Sequence, residues 1–305
     1  VNDHAASTPL QTSNLEPHAL TIGIRDSGVG GLTVAREIKK RLPHAQLLYF
    51  ADTAHVPYGD RTPAEVRHFA LSISEFLIKE GAQLVVFACN TSSAYALQNA
   101  KKRFATPLVG MIEPGARAAL AVNRNHAPVG VLATNATVQS RMYARWIEGL
   151  DAQTSCIEIG CPDFVPLVED ELTSTPAARV ACEKYLRPLL ERGVETVVLG
   201  CTHFPLLLPM LSEVANEYSS VVRFVDPAQA VAAEVAKLLP ETESTPSADA
   251  DRFFVSGATD GVRGWVEKLL DNTLPRIEAG PVFSLPSSIA ENDHHPQGIT
   301  HVTYR

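Results

Sequence analysis

The sequence predicts an α/β protein built from two similar α/β domains related by a pseudo-twofold, with mostly parallel sheets and a site in the interdomain cleft. Three observations carry this expectation. Short apolar runs alternate with longer amphipathic ones, the pattern of strands that cross over through helices into parallel sheets. The segment Val85-Val86-Phe87-Ala88-Cys89-Asn90-Thr91 is matched by Val197-Val198-Leu199-Gly200-Cys201-Thr202-His203, and one constant offset aligns the valines, the cysteines and the preceding Gly81 and Gly193. The apolar-Gly-apolar start Ile22-Gly23-Ile24 is resembled by Val129-Gly130-Val131. The units are too long and too few for a solenoid. Ligands of parallel sheets gather beyond the carboxyl ends of the strands. Asp26, Cys89, Thr134 and Cys201 all fall at such ends.

The elements follow in order. Residues 1–19 are polar and are expected to form a disordered tail. A strand over 20–25 leads through the loop Asp26-Ser27-Gly28-Val29-Gly30-Gly31 into a helix over 32–42, followed by a strand over 46–50. Pro57 and Gly59 mark a long loop. Thr62 and Pro63 then cap and start a helix that runs to Lys79 and is ended by Gly81. A buried strand over 84–88 and a helix over 92–104 complete the first run. The second run has a strand over 129–133, a loop over 134–137 and a helix over 138–147. A helix over 178–192 ended by Gly193, a strand over 196–200 and a helix from Phe204 follow. Residues 221–225 and a helix over 229–239 are expected to return to the first domain. Residues 241–251 read as a surface insertion, and a strand over 252–254 and a helix over 261–270 close the fold. The expected organisation is a first domain of 20–112 plus 224–280, a second of 113–223, and a C-terminal tail of 281–305.

Composition narrows the function classes. The chain has 305 residues, 45% hydrophobic and 20% charged, which suits a globular protein. No apolar run reaches the roughly 18 residues of a membrane helix, and the first residues lack the basic start and apolar core of a signal peptide. A formal net charge of -8 argues against a nucleic-acid surface but not against a small anionic ligand. Five cysteines without paired spacing point away from a disulfide framework and towards a reducing cytoplasm.

The two matched cysteines are the chief chemical candidates. A thiol at a strand end just before a helix is favoured as thiolate by the helix dipole. A lone cysteine there is more often a small buried hydrophobe; two at matched positions, each followed by polar residues, reverse that preference. Neither has a partner at close metal-ligand spacing, so no metal site is expected. A cysteine hydrolase fits poorly, since it needs one nucleophile and one base rather than two mirrored thiols. His203 could take the Cys201 proton or serve as a cap, and Asp26 could assist Cys89 or serve as a turn residue. The glycine-rich loop after Asp26 lacks both G-x-G-x-x-G and G-K-[ST], and a turn offering backbone N–H groups to a carboxylate fits it better. Pro57-Tyr58-Gly59 is either an ordinary turn or a ligand contact. Thr134 and Thr137 are either substrate hydroxyls or helix caps, and Glu169 is either a site acid or one member of a solvated acidic face with Asp170 and Glu171.

In combination these motifs are familiar. Asp26-Ser27-Gly28-Val29-Gly30-Gly31, Pro57-Tyr58-Gly59, Cys89-Asn90-Thr91, Thr134 with Thr137, Phe164-Val165-Pro166-Leu167-Val168-Glu169 and Gly200-Cys201-Thr202-His203 span about residues 20–270. In this order they resemble the glutamate racemases, cofactor-independent enzymes that make D-glutamate for peptidoglycan. The resemblance implies a two-base reaction in which Cys89 deprotonates D-glutamate and Cys201 deprotonates L-glutamate. Asp26 would assist Cys89, His203 would assist Cys201, and Glu169 would be an auxiliary acid–base group or ammonium contact. Ser27, Tyr58, Gly59, Asn90, Thr91, Thr134, Thr137 and Thr202 would bind substrate. It also implies no cofactor, glutamate as the small-molecule partner, no nucleic acid or membrane, and a monomer or homodimer. An aspartate racemase or a non-catalytic binding protein on the same fold are the alternatives. His203 favours glutamate over aspartate, and the presence of both thiols with both helpers favours catalysis. The resemblance departs at Arg25, where the family usually has an aromatic such as phenylalanine, and at His55, where arginine is frequent. Arg25 would either hold Asp26 ionised or face away from the site.

Overall fold

Each half begins with the same parallel unit. In the first, β1 (Thr21–Asp26), β2 (Gln46–Ala51), β3 (Leu84–Phe87) and β4 (Leu108–Gly110) lie in the order β2-β1-β3-β4. In the second, β5 (Val129–Ala133), β6 (Cys156–Gly160), β7 (Thr196–Gly200) and β8 (Arg223–Val225) repeat that order as β6-β5-β7-β8. The first sheet grows on its β2 edge by β9 (Arg252–Val255) and β10 (Arg276–Ala279), and every strand pairing in both sheets is parallel. This computed structural model describes residues 20–218, 221–238, 251–270 and 275–290. The expected tail of 1–19 and nearly all of the expected 241–251 insertion lie outside them.

The repeat corrects one expectation. Residues 221–225 do not return to the first sheet: β8 pairs with β7, with Val198 opposite Val225, and is the counterpart of β4. Both β4 and β8 are short edge strands with little apolar pattern of their own, which is why the sequence pattern misplaced one and omitted the other.

The helices connect the strands as parallel pairing requires. They are α1 (Leu32–Arg41), α2 (Pro63–Lys79), α3 (Asn90–Arg103), α4 (Ile112–Val122), α5 (Asn135–Ser140), α6 (Met142–Leu150), α7 (Phe164–Glu169), α8 (Pro176–Leu190), α9 (Leu208–Glu217), α10 (Pro227–Leu238) and α11 (Asp260–Leu270). A capping box starts α2: Thr62 accepts from the Glu65 N–H, and Glu65 accepts from the Thr62 N–H. Gly81 and Gly193, which follow α2 and α8, have φ of 102° and 74°, a region that only glycine enters without steric cost. The single helix expected over 138–147 is two, because Arg141 takes a left-handed conformation between α5 and α6. The helix expected from Phe204 begins as a 3-10 turn over Phe204–Leu207; Pro205 and Pro209 remove backbone donors there.

Strand alternation sorts the core into layers. Leu48, Phe50, Val85, Phe87 and Cys89 face α2 and α3, together with Phe69, Ile73 and Ala96. On the other face of the first sheet, Ile22, Ile24, Tyr49 and Val86 belong to a cluster that continues without a break to Leu132, Phe164, Leu199 and Phe204 of the second half. Helix α10 packs against both α1 and α4. The two halves therefore share an apolar core. The expected C-terminal tail is not loose in its described part. Phe283 and Leu285 pack on the first sheet, with the Phe283 ring 6.1 Å from that of Phe50, and His68 Nε2 donates to the Ser284 carbonyl at 2.9 Å.

Candidate active site

The carboxyl ends of both sheets open into one cavity of about 260 Å³. That is near the lower end of the roughly 300–1,000 Å³ usual for ligand pockets and matches a ligand of amino-acid size. Cys89 and Cys201 both line it, one from each half, and are 6% and 7% exposed. Ser27, Tyr58, Gly59, Asn90, Thr91, Thr134, Glu169, Thr202 and His203 line it too. Two expected residues stand behind the lining. Thr137 is buried and bonds to the hydroxyls of Thr91 and Thr134, each at 3.0 Å. Asp26 is also fully buried.

The two thiols have different settings. Cys89 occupies the N-cap of α3, where the helix offers unsatisfied N–H groups. Burial pushes its thiol above the usual range, and the Asp26 carboxylate adds to this. The Arg25 cation and the Ser92 N–H act in the opposite direction. Cys201 Sγ lies 3.8 Å from His203 Nδ1, and His203 Nε2 donates to Glu169 Oε1 at 2.6 Å. Burial alone would lower the imidazolium, but its bonds to Cys201 and Glu169 outweigh that, and His203 stands well above the ordinary histidine range.

The glycine-rich loop does offer N–H groups to a carboxylate, but that carboxylate is its own Asp26. Gly28 N donates to Asp26 Oδ2 at 3.1 Å, and Gly31 N–H also serves it. Thr202 Oγ1 reaches Asp26 Oδ1 at 3.4 Å across the domain boundary. Asp26 thus touches the Cys201 loop and acts on Cys89 through its charge. Burial raises Asp26 above the usual carboxylate range, and His203 and the two N–H groups oppose this. Close approach explains Gly30: a Cβ there would fall 2.5 Å from both His203 Nδ1 and Thr202 Oγ1.

The polar groups that line the cavity are held across the boundary. Thr91 of α3 meets Thr134, the N-cap of α5, at 2.9 Å, so with Thr137 three hydroxyls form a closed set. Tyr143 OH donates to Asn90 Oδ1 at 2.7 Å, while Asn90 Nδ2 is buried without a partner among the described residues. The Tyr143 bond orients the amide, with Oδ1 as the acceptor. Tyr58 OH donates to Asp52 at 2.6 Å, and Asp52 also holds His55 and Ser256. His55 stacks on Phe69 at 3.9 Å, so at this departure position the residue orders the Tyr58 turn from behind.

Sequence reasoning missed Tyr143, Asp52 and Cys161. Cys161 lines the cavity from the end of β6. The alternating run Cys156-Ile157-Glu158-Ile159 carries that strand signal, and reading it would have placed Cys161 with the other strand-end residues. Tyr143 acts through a contact remote in sequence, for which the chain gives no local sign, whereas Asp52 lies three residues from His55 and six from Tyr58, with only Ser256 remote.

Two cysteines in unlike settings, facing one small cavity between duplicated α/β halves, are the arrangement of a racemase of the amino-acid class. Comparison with known proteins agrees. Residues 32–235 match the family model described as Asp/Glu/Hydantoin racemase. A glutamate racemase of Gloeobacter violaceus is 44% identical over 238 residues, covering 78% of this chain and 88% of that one. The structure of a Bacillus anthracis glutamate racemase isoform superposes with a TM-score of 0.79 at 32% identity, covering 88% and 99% of the two chains. That of the Francisella tularensis glutamate racemase in complex with D-glutamate gives 0.78 at 27% identity, covering 87% and 98%. The chain belongs to the Asp/Glu racemase family, in its glutamate racemase branch, and is an amino-acid isomerase.

Proposed function

We propose that this protein interconverts L- and D-glutamate with two opposed cysteines and no cofactor, and that it supplies D-glutamate for peptidoglycan from the cytoplasm. The observation that carries the reading is the convergence of Cys89 and Cys201, from separate halves, on one cavity of amino-acid size. The D-glutamate bound to the Francisella relative supports the substrate. Five free cysteines support a reducing compartment.

Inversion at Cα requires a proton to leave one face and another to arrive on the opposite face. One thiolate takes the α-proton, and the C–H electron pair moves into the neighbouring carboxylate. The opposite thiol then gives its proton to the other face, and the two sulfurs have exchanged protonation states. Their titrations are linked, because turnover needs one thiolate and one thiol together. The negative charge on the flattened intermediate is met by the N–H groups at the start of α3 and the threonine hydroxyls that line the cavity. His203, held by Glu169, receives and returns charge at Cys201, and Asp26 modulates Cys89.

Cys89→Ser and Cys201→Ser are each expected to abolish racemisation. In heavy water the wild-type protein is expected to place deuterium at Cα mainly in the inverted product. Full turnover by either serine variant, measured by circular dichroism of glutamate, sinks the two-base scheme. Turnover of aspartate in place of glutamate sinks the substrate assignment.

A further inference from the structure

Arg25 is the unexplained charge of this molecule. It is 0% exposed, and its Nε, Nη1 and Nη2 atoms have no hydrogen-bond partner among the described residues. A buried guanidinium left without acceptors is costly, and an unsatisfied group of this kind calls for a reason. Its place in the sheet supplies one. Along β1, Ile22 and Ile24 face the shared core, so Arg25 projects to the opposite face, beside Phe87 of β3 across the strand pair. The guanidinium carbon sits 5.1 Å from the Phe87 ring centroid and 5.7 Å from that of Tyr58. Cys89 belongs to the same layer as Phe87 and Tyr58. Arg25 thus projects to the face of β1 opposite Ile22 and Ile24, although its charge still favours the ionised form of Asp26.

The neighbouring anions narrow what the cation serves. Asp52 is taken up by Tyr58, His55 and Ser256. Asp26 is taken up by the Gly28 and Gly31 N–H groups and Thr202, and the Arg25 charge acts on it more weakly than His203 and those N–H groups do. The titratable and charged groups that bear on Cys89 are Asp26 and Arg25 from β1, Tyr49 from β2, Tyr58 from the turn before α2, and Cys201 from the second half. Of these, Arg25 alone is a cation. The remaining donor to the sulfur is the Ser92 N–H.

We propose that Arg25 is a positioning residue of the Cys89 half-site, a permanent cation held between two aromatic rings behind the cavity wall that sustains the Cys89 thiolate. Aromatic faces can hold a guanidinium without neutralising it. In a poorly polarisable interior its charge reaches farther than it would in water. Arginine does not lose its proton, so the support is constant with pH. Cys201 is served differently, by a histidine that can titrate. The proposal rests on the two-thiol reading for its purpose, but the test does not depend on turnover.

The test is the pH dependence of iodoacetamide alkylation at Cys89 and Cys201, read peptide by peptide by mass spectrometry on the full chain without substrate. Arg25→Met removes the charge and keeps an apolar filling, so it is expected to fold with an unchanged or higher Tm. It is expected to move the Cys89 midpoint upward by about one pH unit, roughly a tenfold loss of thiolate at neutral pH, and to leave Cys201 in place. Arg25→Lys, which restores a cation, is expected to fall between wild type and Arg25→Met. An unmoved Cys89 midpoint in Arg25→Met overturns the proposal, as does an equal shift at both cysteines, which would mark a general structural role. Failure of the racemase reading would appear as absent turnover in the wild type, with these midpoints unaffected.

Discussion

At the scale of single residues, the site is governed by what each titratable group has behind it. His203 is the clearest case. Its folded-state proton affinity lies above the ordinary value because the bonds to Cys201 and Glu169 outweigh its burial. A raised basic group contributes stability that is complete below its unfolded value of about 6.5 and is lost as pH rises through the folded value. The Tm advantage of wild type over His203→Asn is therefore expected to be largest near about pH 6 and to shrink as pH climbs above about 7. Thermal melts across that range check it, and a constant gap refutes the assignment of His203 as a charged partner. Part of this arrangement was legible in the sequence, since Cys201 and His203 share one short motif and Cys89 heads its counterpart in the first half. What was not legible was which side of a strand each residue faces. Asp26 and Arg25 are adjacent in the chain yet serve opposite layers, and the resemblance alone left open whether one holds the other.

At the scale of elements, the same two glycines that revealed the repeat also end equivalent helices. Nothing lies within 4 Å of a Cβ built on Gly81 or Gly193, so a substitution there tests backbone conformation free of steric contact. Gly81→Ala and Gly193→Ala are each expected to lower stability by about 1–2 kcal/mol through the left-handed φ alone, with kcat unchanged. Urea denaturation measures the first and a racemisation assay the second; an unaltered midpoint would show that these turns tolerate a side chain. The elements the sequence announced well are those with strong local punctuation. Thr62-Pro63 opens α2, Gly81 follows its end, and the apolar β3 and β7 are bounded by cysteines. Those it announced poorly include β4, β8 and β10, short edge strands whose place is fixed by a neighbour and not by their own pattern. The break at Arg141 has no proline or glycine to signal it.

At the scale of the whole molecule, one apolar cluster runs from the first sheet into the second, and side chains from both halves bond across the cavity. The halves repeat one strand order but have drifted apart in what surrounds each sulfur: a fixed cation and a helix start on one side, a titrating imidazole and a carboxylate on the other. Free glutamate enantiomers are mirror images of equal free energy, so kcat/KM must be the same in both directions for this protein and for every variant of it. Only kcat and KM taken singly can differ. The complexes inside the cavity obey no such equality, because the walls that face the two enantiomers are not mirror images. With protein in excess over glutamate, rapid acid quenching is expected to recover a bound pool that departs from one-to-one, while the free pool settles at one-to-one. A one-to-one bound pool would mean that the drift between the halves is energetically silent. The duplicated sheets thus supply a frame that could have been even-handed, and the unlike neighbours of the two sulfurs are expected to make the protein a biased reservoir for a product that reaches one-to-one once free.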